Sequence, residues 1–597
     1  MSSASPAIKT ATAALELVFL TAVIWVLRGY VWPTLSPVEV TVLQARLDPS
    51  LFPGDALVQE ALRFTPRFYF NELILLLAHA GLSLAWAFAA WHLVALAALI
   101  SGLRALARTL GAGNAAAAML VVWVLVVGVG MLGGVFFFTP APVPAVWADA
   151  VVVWGAVLAV RQRWTAAYAC FGAAALLQFL VGFYAGVLAL PALGQANRRN
   201  KLSALGLWAL GLALIYGPIW FNGTTGAGEL DNATFVEIYA QLRHPHHLIP
   251  STWGWPVWVQ AGVFYAGAWW FLRKTARDRP AFEQTLLHAT LALTAAALAV
   301  NFVFVEIQPL AWIAKLQPAR ITPLAQVVVL TLLALRLQAL VARKDWLGAT
   351  LLALIPLSPF PGFLLLLLAI LWTPSNARLS MRHFILVAAV LLAFQPFDAS
   401  LAARGPHYGL WLAIFGFQLV PGWLAHRPLP LALAAGLAVA GAGWCANASL
   451  GPSWPHFLVQ PFAIDAPPFD VIGILGRRFE RYAPKDACVL VPPISEAWSF
   501  KLFARRSVVV DIKNIPFTDR GMAEWKKRMD DVLGTPWTHG LDTEGAWAAQ
   551  PSARLVAVAR RYGAGYVLTR DAWHSQLPGT VVDRLQGWTL WRLTTPQ

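Results

Sequence analysis

The chain has 597 residues, of which 58% are hydrophobic and only 12% charged, with a mean hydropathy of +0.62. A soluble protein carries roughly 25% charged residues, so this composition excludes a water-soluble enzyme and indicates an integral membrane protein. The formal net charge of +15 would suit a nucleic-acid binder, but the charges lie between apolar runs in a pattern that needs no polyanion, so no nucleic-acid partner is expected.

The first apolar run, residues 13–32, has the length of a span. No small-residue cleavage site follows it, so it reads as a retained helix. Further runs follow at 73–103, 115–138, 146–160, 166–178, 181–193, 202–221, 257–272, 285–304, 324–340, 347–357, 363–372, 384–394, 408–424 and 429–446. This predicts an α-helical polytopic protein with roughly 13–15 membrane segments, several of them short for a ~30 Å hydrocarbon core. The short ones come in pairs broken at Gly182 or at the Pro359-Phe-Pro361-Gly362 turn. Such pairs suit half-crossings around an internal cavity.

Charge between the runs sets the orientation. With the N-terminus in the cytoplasm, Arg104 and Arg108, Arg161 and Arg163, and Arg198, Arg199 and Lys201 all fall on the cytoplasmic side. So do Arg273, Lys274, Arg277 and Arg279, then Arg343 and Lys344, Arg378 and Arg382, and Arg427. This is a positive-inside pattern. The outer connections are then 36–71, 222–255 and 306–323, and they carry the chemically rich residues.

After Asn447 the composition changes, and residues 455–597 are charged with short apolar runs. Helical spacing at 469–482 is followed by a strand from Cys488, a helix over 497–505, a strand at 508–511 and an amphipathic helix over 522–533. A helix over 553–562 leads into a strand from Tyr566, and 588–593 closes the chain. Alternation at this pace predicts a small α/β domain. An odd number of crossings places it outside, beside the outer connections. The predicted organisation is a membrane module over 1–450 and an extracytoplasmic α/β domain over 455–597. Cys170, Cys445 and Cys488 are far apart, with neither metal spacing nor a disulfide framework.

Three sets of residues are candidates for chemistry. The first outer connection holds Glu39, Asp48, Asp55, Arg63 and Arg67. Asp beside Pro or Gly is commonly a turn or cap residue. A carboxylate at a membrane cavity is equally a general base, or a ligand for a divalent cation on a phosphate. Asp55 ranks first as base because it follows Gly54 and lies near Arg63 and Arg67 in sequence; Asp48 ranks second and Glu39 third. The second connection carries Arg243, His244, His246 and His247, stiffened by Pro245 and Pro250. Arginine offers forked donors to phosphate, and histidine donates a hydrogen bond or a proton. The histidine spacing gives little support to a metal site, and the bland alternative is an interfacial loop. The third connection contains Glu306, Gln308 and Arg320, where snorkelling competes with phosphate binding.

This organisation, a first helix from the cytoplasm, a long acidic first outer loop, paired short helices and an outer C-terminal α/β domain, resembles the GT-C glycosyltransferase fold. The strings Leu47-Asp-Pro-Ser50 with Gly54-Asp55, Arg243-His-Pro-His-His247 with Pro250-Ser-Thr-Trp253, and Gln317-Pro-Ala-Arg320 are similar to those of a group of bacterial polytopic membrane proteins. Pro484-Lys-Asp-Ala487 with Val491-Pro-Pro493, and Arg505-Arg with Val510-Asp-Ile-Lys513, extend that likeness through the C-terminal domain. The group fixes no substrate. The resemblance implies a bacterial plasma-membrane protein and a polyprenyl-phosphate sugar donor embedded among membrane lipids. It also implies a glycan, lipid or protein acceptor and a catalytic acid at Glu39, Asp48 or Asp55. Arg67, Arg243, the histidines, Glu306, Gln308 and Arg320 would bind substrate. The paired acids of several GT-C enzymes are missing, so a divalent cation (Mg or Mn) is admitted but not required. The Trp-Trp-Asp signature of oligosaccharyltransferases is missing too. A lipid-binding or transport protein, or a subunit of a polysaccharide-assembly complex, is the competing expectation.

Overall fold

The computed structural model describes residues 28–33, 37–125, 132–134, 136–221, 230–275, 281–345, 462–468 and 470–594, with single positions within 14–26 and 348–369. Most of the five expected runs between 347 and 446, the Pro359–Gly362 turn, residues 222–229, Arg277, Arg279, Arg378, Arg382 and Arg427 lie outside the described residues.

The first outer connection is mostly helical. A short strand β1 (Tyr30–Val31) leads to helices α1 (Pro37–Leu47), α2 (Ala56–Ala61) and α3 (Phe68–His79). Proline at the first position of α1 supplies a preset φ where its missing N–H costs nothing. Asp55 caps α2, accepting from the Val58 N–H at 3.0 Å. Local helix and cap chemistry therefore fold a stretch that reads as a turn-rich loop.

The membrane module follows with α4 (Leu84–Thr109), α5 (Asn114–Leu125), α6 (Pro144–Val160), α7 (Trp164–Leu177), α8 (Phe179–Leu193) and α9 (Arg198–Phe221). Among the described residues, the helical stretches Leu84–Thr109, Arg198–Ile219, Glu283–Ile307 and Ala311–Ala342 are long and apolar enough to cross a membrane. The paired short helices exist, but their break is at Gln178, not Gly182: Gln178 ends α7 and opens α8 in an extended conformation. Gly182 serves close packing instead. A Cβ there would meet Phe171 O and Ala175 N at 2.3 Å, so only glycine lets the two helices approach.

The second outer connection continues with α10 (Asn232–Val236), a π-helical turn over Glu237–Arg243, α11 (Pro245–Leu248) and a 3-10 turn over Pro250–Trp253. Then come α12 (Trp255–Lys274), α13 (Ala281–Asn301), a π-helical turn over Phe302–Ile307, α14 (Ala311–Leu316), a 3-10 turn over Pro318–Ile321 and α15 (Thr322–Ala342).

The C-terminal domain opens with β2 (Phe462–Ala463), which pairs in parallel with β1 in the register Tyr30↔Phe462. It contains α16 (Val471–Glu480), β3 (Cys488–Leu490), α17 (Trp498–Ala504), β4 (Ser507–Val508), α18 (Asp519–Leu533), α19 (Thr543–Ala548) and α20 (Ser552–Arg561). Three further strands, β5 (Tyr566–Arg570), β6 (Gly579–Leu585) and β7 (Trp588–Leu593), complete a sheet of order β4-β3-β5-β7-β6. The first two pairings are parallel and the last two antiparallel. The expected strand at 508–511 is shorter and starts earlier, and β6 and α19 were not expected.

The strand period of two sends alternate residues of β3 to opposite faces. Val489 joins Phe479 and Phe500 on one side, while Cys488 and Leu490 join Trp525 and Met529 on the other. That second cluster also contains Phe235, Ile238 and Leu242 of the second connection, and Ile313 of the third. The domain and the second and third connections thus share one apolar core.

Candidate functional site

Three arginines from three separate connections gather beneath the C-terminal domain. Arg67 precedes α3, Arg243 ends the π-helical turn, and Arg320 lies in the 3-10 turn before α15. Gln317 adopts a left-handed conformation (φ 44°), which the following Pro318 and the turn hold in place. Its Oε1 accepts from Arg320 Nε at 2.8 Å, and its Nε2 donates to the Tyr239 hydroxyl at 2.6 Å. A strained residue thereby ties the second connection to the third. The charges of Arg67, Arg243 and Arg320 all act on Tyr239, which marks the centre of the cluster.

Burial, and then the charge of Arg320, brings the Arg67 guanidinium down to about 10. Its side chain nevertheless keeps 31% of its surface accessible. Arg67 is thus desolvated while part of its side chain remains accessible. Arg243 donates to the Lys513 carbonyl of the C-terminal domain, while its Nε is buried without a hydrogen-bond partner among the described residues.

The histidines lie beside this arginine cluster, since Arg243 acts on all three. His246 and His247 have ring centroids 3.9 Å apart, and His244 stacks on His247 at 6.0 Å. Each of two rings is aimed by a backbone carbonyl: His244 Nδ1 at Tyr239 O (3.1 Å) and His247 Nδ1 at Gly133 O (2.6 Å). Burial first, and then neighbouring arginine charge, lowers all three, His247 to about 3. They are neutral hydrogen-bonding rings at physiological pH, not ready proton donors.

The structure reorders the acidic candidates. The side chain of Asp55, ranked first in sequence, is 2% exposed. Its carboxylate pairs with Lys501 at 3.0 Å and accepts from the Val58 and Val508 N–H groups. The expected neighbours Arg63 and Arg67 are not its partners. Asp48 is on the surface, accepting from Ser50 and from Lys485 at 2.7 Å. Glu39, ranked third, is the one that meets the arginines: buried in the first turn of α1, it is ion-paired with Arg67. Of the remaining candidates, Glu306 accepts from the Ser251 N–H at 3.1 Å and braces the second connection, and Gln308 is exposed.

Sequence reasoning missed Tyr239, Lys501 and Asp149. Asp149, 3% exposed on α6, attracts Arg320. A lone acid within an apolar run was the available signal. Among the described residues no three His, Cys, Asp or Glu side chains gather as metal ligands. Three guanidiniums and a carboxylate already paired with one of them are a poor donor set for Mg or Mn, so no step is routed through a cation.

Residues 473–532 match a family model described as a domain of unknown function (DUF6798). No curated protein matches the chain in sequence. Solved structures to which it is similar include the arabinofuranosyltransferase AftD from Mycobacteria, at 14% identity and TM-score 0.45. That match covers all of this chain but 40% of AftD. ArnT from Cupriavidus metallidurans, bound to undecaprenyl phosphate, matches over the whole of both chains at 14% identity and TM-score 0.47. The Archaeoglobus fulgidus oligosaccharyltransferase in its apo form matches over 93% of this chain and 69% of that one, at 13% identity and TM-score 0.38. These likenesses, at 13–14% identity and TM-scores of 0.38–0.47, assign this chain neither a family nor an activity.

Proposed function

We propose that this chain is a GT-C-type membrane glycosyltransferase that moves a sugar from a polyprenyl-phosphate carrier to an acceptor hydroxyl or amine. The observation that carries this reading is the convergence of Arg67, Arg243 and Arg320 around Tyr239 with Glu39 beside them. Guanidiniums are forked donors matched to phosphate oxygens, and where they are desolvated their bonds to an anion are strong. The neutral His246 can add one donor, while His247 spends its N–H on the Gly133 carbonyl and positions the neighbouring ring.

In the reaction, the acceptor oxygen or nitrogen attacks the anomeric carbon. The bond from that carbon to the phosphate oxygen breaks, and the lipid phosphate leaves with the electron pair. The arginines stabilise the charge that develops there. Glu39, released from Arg67 as that arginine turns to the phosphate, takes the acceptor's proton.

The test separates binding from transfer. Glu39→Gln in proteoliposomes should bind polyprenyl phosphate as the parent does but transfer sugar at least ~10²-fold more slowly. Normal transfer by this variant would remove Glu39 as base. Phosphate-lipid binding with no transfer even by the parent would leave the binding-protein reading.

A further inference from the structure

The hydrogen bonds of Gln317 decide where the Tyr239 phenol sends its proton. An arginine Nε–H only donates, so the amide oxygen of Gln317 faces Arg320, at 2.8 Å. Turning the amide over would set two donors face to face there. The amide NH2 therefore faces Tyr239 and donates to its hydroxyl oxygen at 2.6 Å. An NH2 group accepts nothing, so the phenolic O–H is not spent on Gln317.

Nothing gathered around the phenol takes that proton. Arg67, Arg243 and Arg320 all act on Tyr239, and a guanidinium has no acceptor. Glu39 is committed to Arg67. Among the described residues the hydroxyl donates to no side chain or carbonyl. Tyr239 is only half-buried, as are the three arginines, so all four keep accessible surface. Burial raises the phenol above its usual range against the opposing pull of Gln317 and the arginines, so it stays protonated at neutral pH. The ring is also held still: it packs against Phe235 and His244, with centroids 5.4 and 5.1 Å away, and the Tyr239 carbonyl meets His244 Nδ1 at 3.1 Å. The cluster therefore presents aimed donors and no free acceptor. Its complement is a group rich in acceptor oxygens and without hydrogens of its own, as a phosphate ester anion is.

We propose that Tyr239 donates a hydrogen bond to a non-bridging oxygen of the lipid phosphate, and that Gln317 is the positioning residue that aims it. This rests on the phosphate-binding reading above, but not on the role given to Glu39. No proton is transferred. As the bond between sugar and phosphate breaks, charge builds on the phosphate and the bond from the phenol strengthens. Tyr239 thus favours the departing phosphate over the intact donor.

Titration of undecaprenyl phosphate into the full chain in nanodiscs tests the pair as a double-mutant cycle. Tyr239→Phe keeps the ring and should bind at least ~10-fold more weakly, with an unchanged unfolding midpoint. Gln317→Glu keeps the shape and the bond from Arg320, but turns the atom facing the phenol from donor to acceptor. The phenol then gives its hydrogen bond to the new carboxylate, so Tyr239→Phe should cost nothing further in that background. The added charge weakens binding with Tyr or Phe alike and cancels in the cycle. Gln317→Met adds no charge and serves the same cycle: with the anchor gone, the loss on Tyr239→Phe should shrink. Parent-like binding by Tyr239→Phe, or the same loss from it in all three backgrounds, would overturn the proposal. Arg320→Ala separates the two readings. Binding weakened by Arg320→Ala but not by Tyr239→Phe sinks the role of Tyr239 alone. No binding by the parent sinks the phosphate reading, and Tyr239 with it.

Discussion

Glu39 and Asp55 belong to the same outer connection, and each is buried against one basic side chain, but their surroundings differ. Asp55 and Lys501 are both 2% exposed, and Asp511 shares the lysine at 3.3 Å, so every charge is enclosed by the seam between α2 and the C-terminal domain. Glu39 is nearly as buried, but its partner Arg67 keeps 31% of its side chain accessible. A closed pair has no route to substrate and can only hold elements together. A pair with one open member can exchange that partner for an incoming anion. The lesson is that the acid's own burial does not distinguish a structural carboxylate from a reactive one; the accessibility of its partner does.

The largest effect should come from breaking the closed pair. Lys501→Ala leaves Asp55 and Asp511 buried without their cation, a loss of about 3–5 kcal/mol. Thermal unfolding in detergent should show a lower midpoint, with proteolysis freeing the C-terminal domain first. An unchanged midpoint would show that the seam is not held by this triad.

Arg243→Ala and Arg320→Ala sharpen the other half of the comparison. Each should weaken polyprenyl-phosphate binding by about 1.5–3 kcal/mol, the worth of a charge-assisted hydrogen bond, while leaving the unfolding midpoint nearly unchanged. Titration of the labelled lipid measures it, and parent-like affinity would reassign both as interface anchors. His246→Ala and His247→Ala should cost less singly, because the two rings are adjacent and neutral. His247 should add no pH dependence to binding from pH 6 to 8, since burial keeps it uncharged across that range, and the dependence that remains should follow the second ionisation of the lipid phosphate at about pH 6.

The smallest effect concerns Asp48. Hydrogen bonds from Lys485 and Ser50 hold its carboxylate down at about 2. A depressed carboxylate contributes stability above its unfolded value, and this is lost as pH falls toward 2. The midpoint difference between the parent and Asp48→Asn should therefore shrink between pH 6 and pH 2. A difference that stays constant would deny Asp48 its ion-pair role.

Much of this organisation was legible in the sequence. Period and composition marked the apolar runs and the C-terminal alternation of helix and strand, because both depend on local pattern. Arg243-His-Pro-His-His247 and Gln317-Pro-Ala-Arg320 stood out because prolines and charges cluster there. The choice among Glu39, Asp48 and Asp55 was not legible. It depends on Lys501, Val508 and Lys485, all contributed by a domain hundreds of residues away in sequence. Gln178, where α7 meets α8, carries no breaker residue, so the nearby Gly182 drew the boundary instead. Asp149 could have been found, because a lone acid inside an apolar run is itself a signal.

The central claim is that Arg67, Arg243 and Arg320 together hold a lipid phosphate beside Glu39. A cryo-EM structure of the full chain in nanodiscs with undecaprenyl phosphate tests it most directly. The account predicts phosphate density within hydrogen-bonding distance of at least two of the three guanidiniums, with Arg67 turned away from Glu39. Phosphate bound elsewhere, with the Glu39–Arg67 ion pair intact, would contradict it.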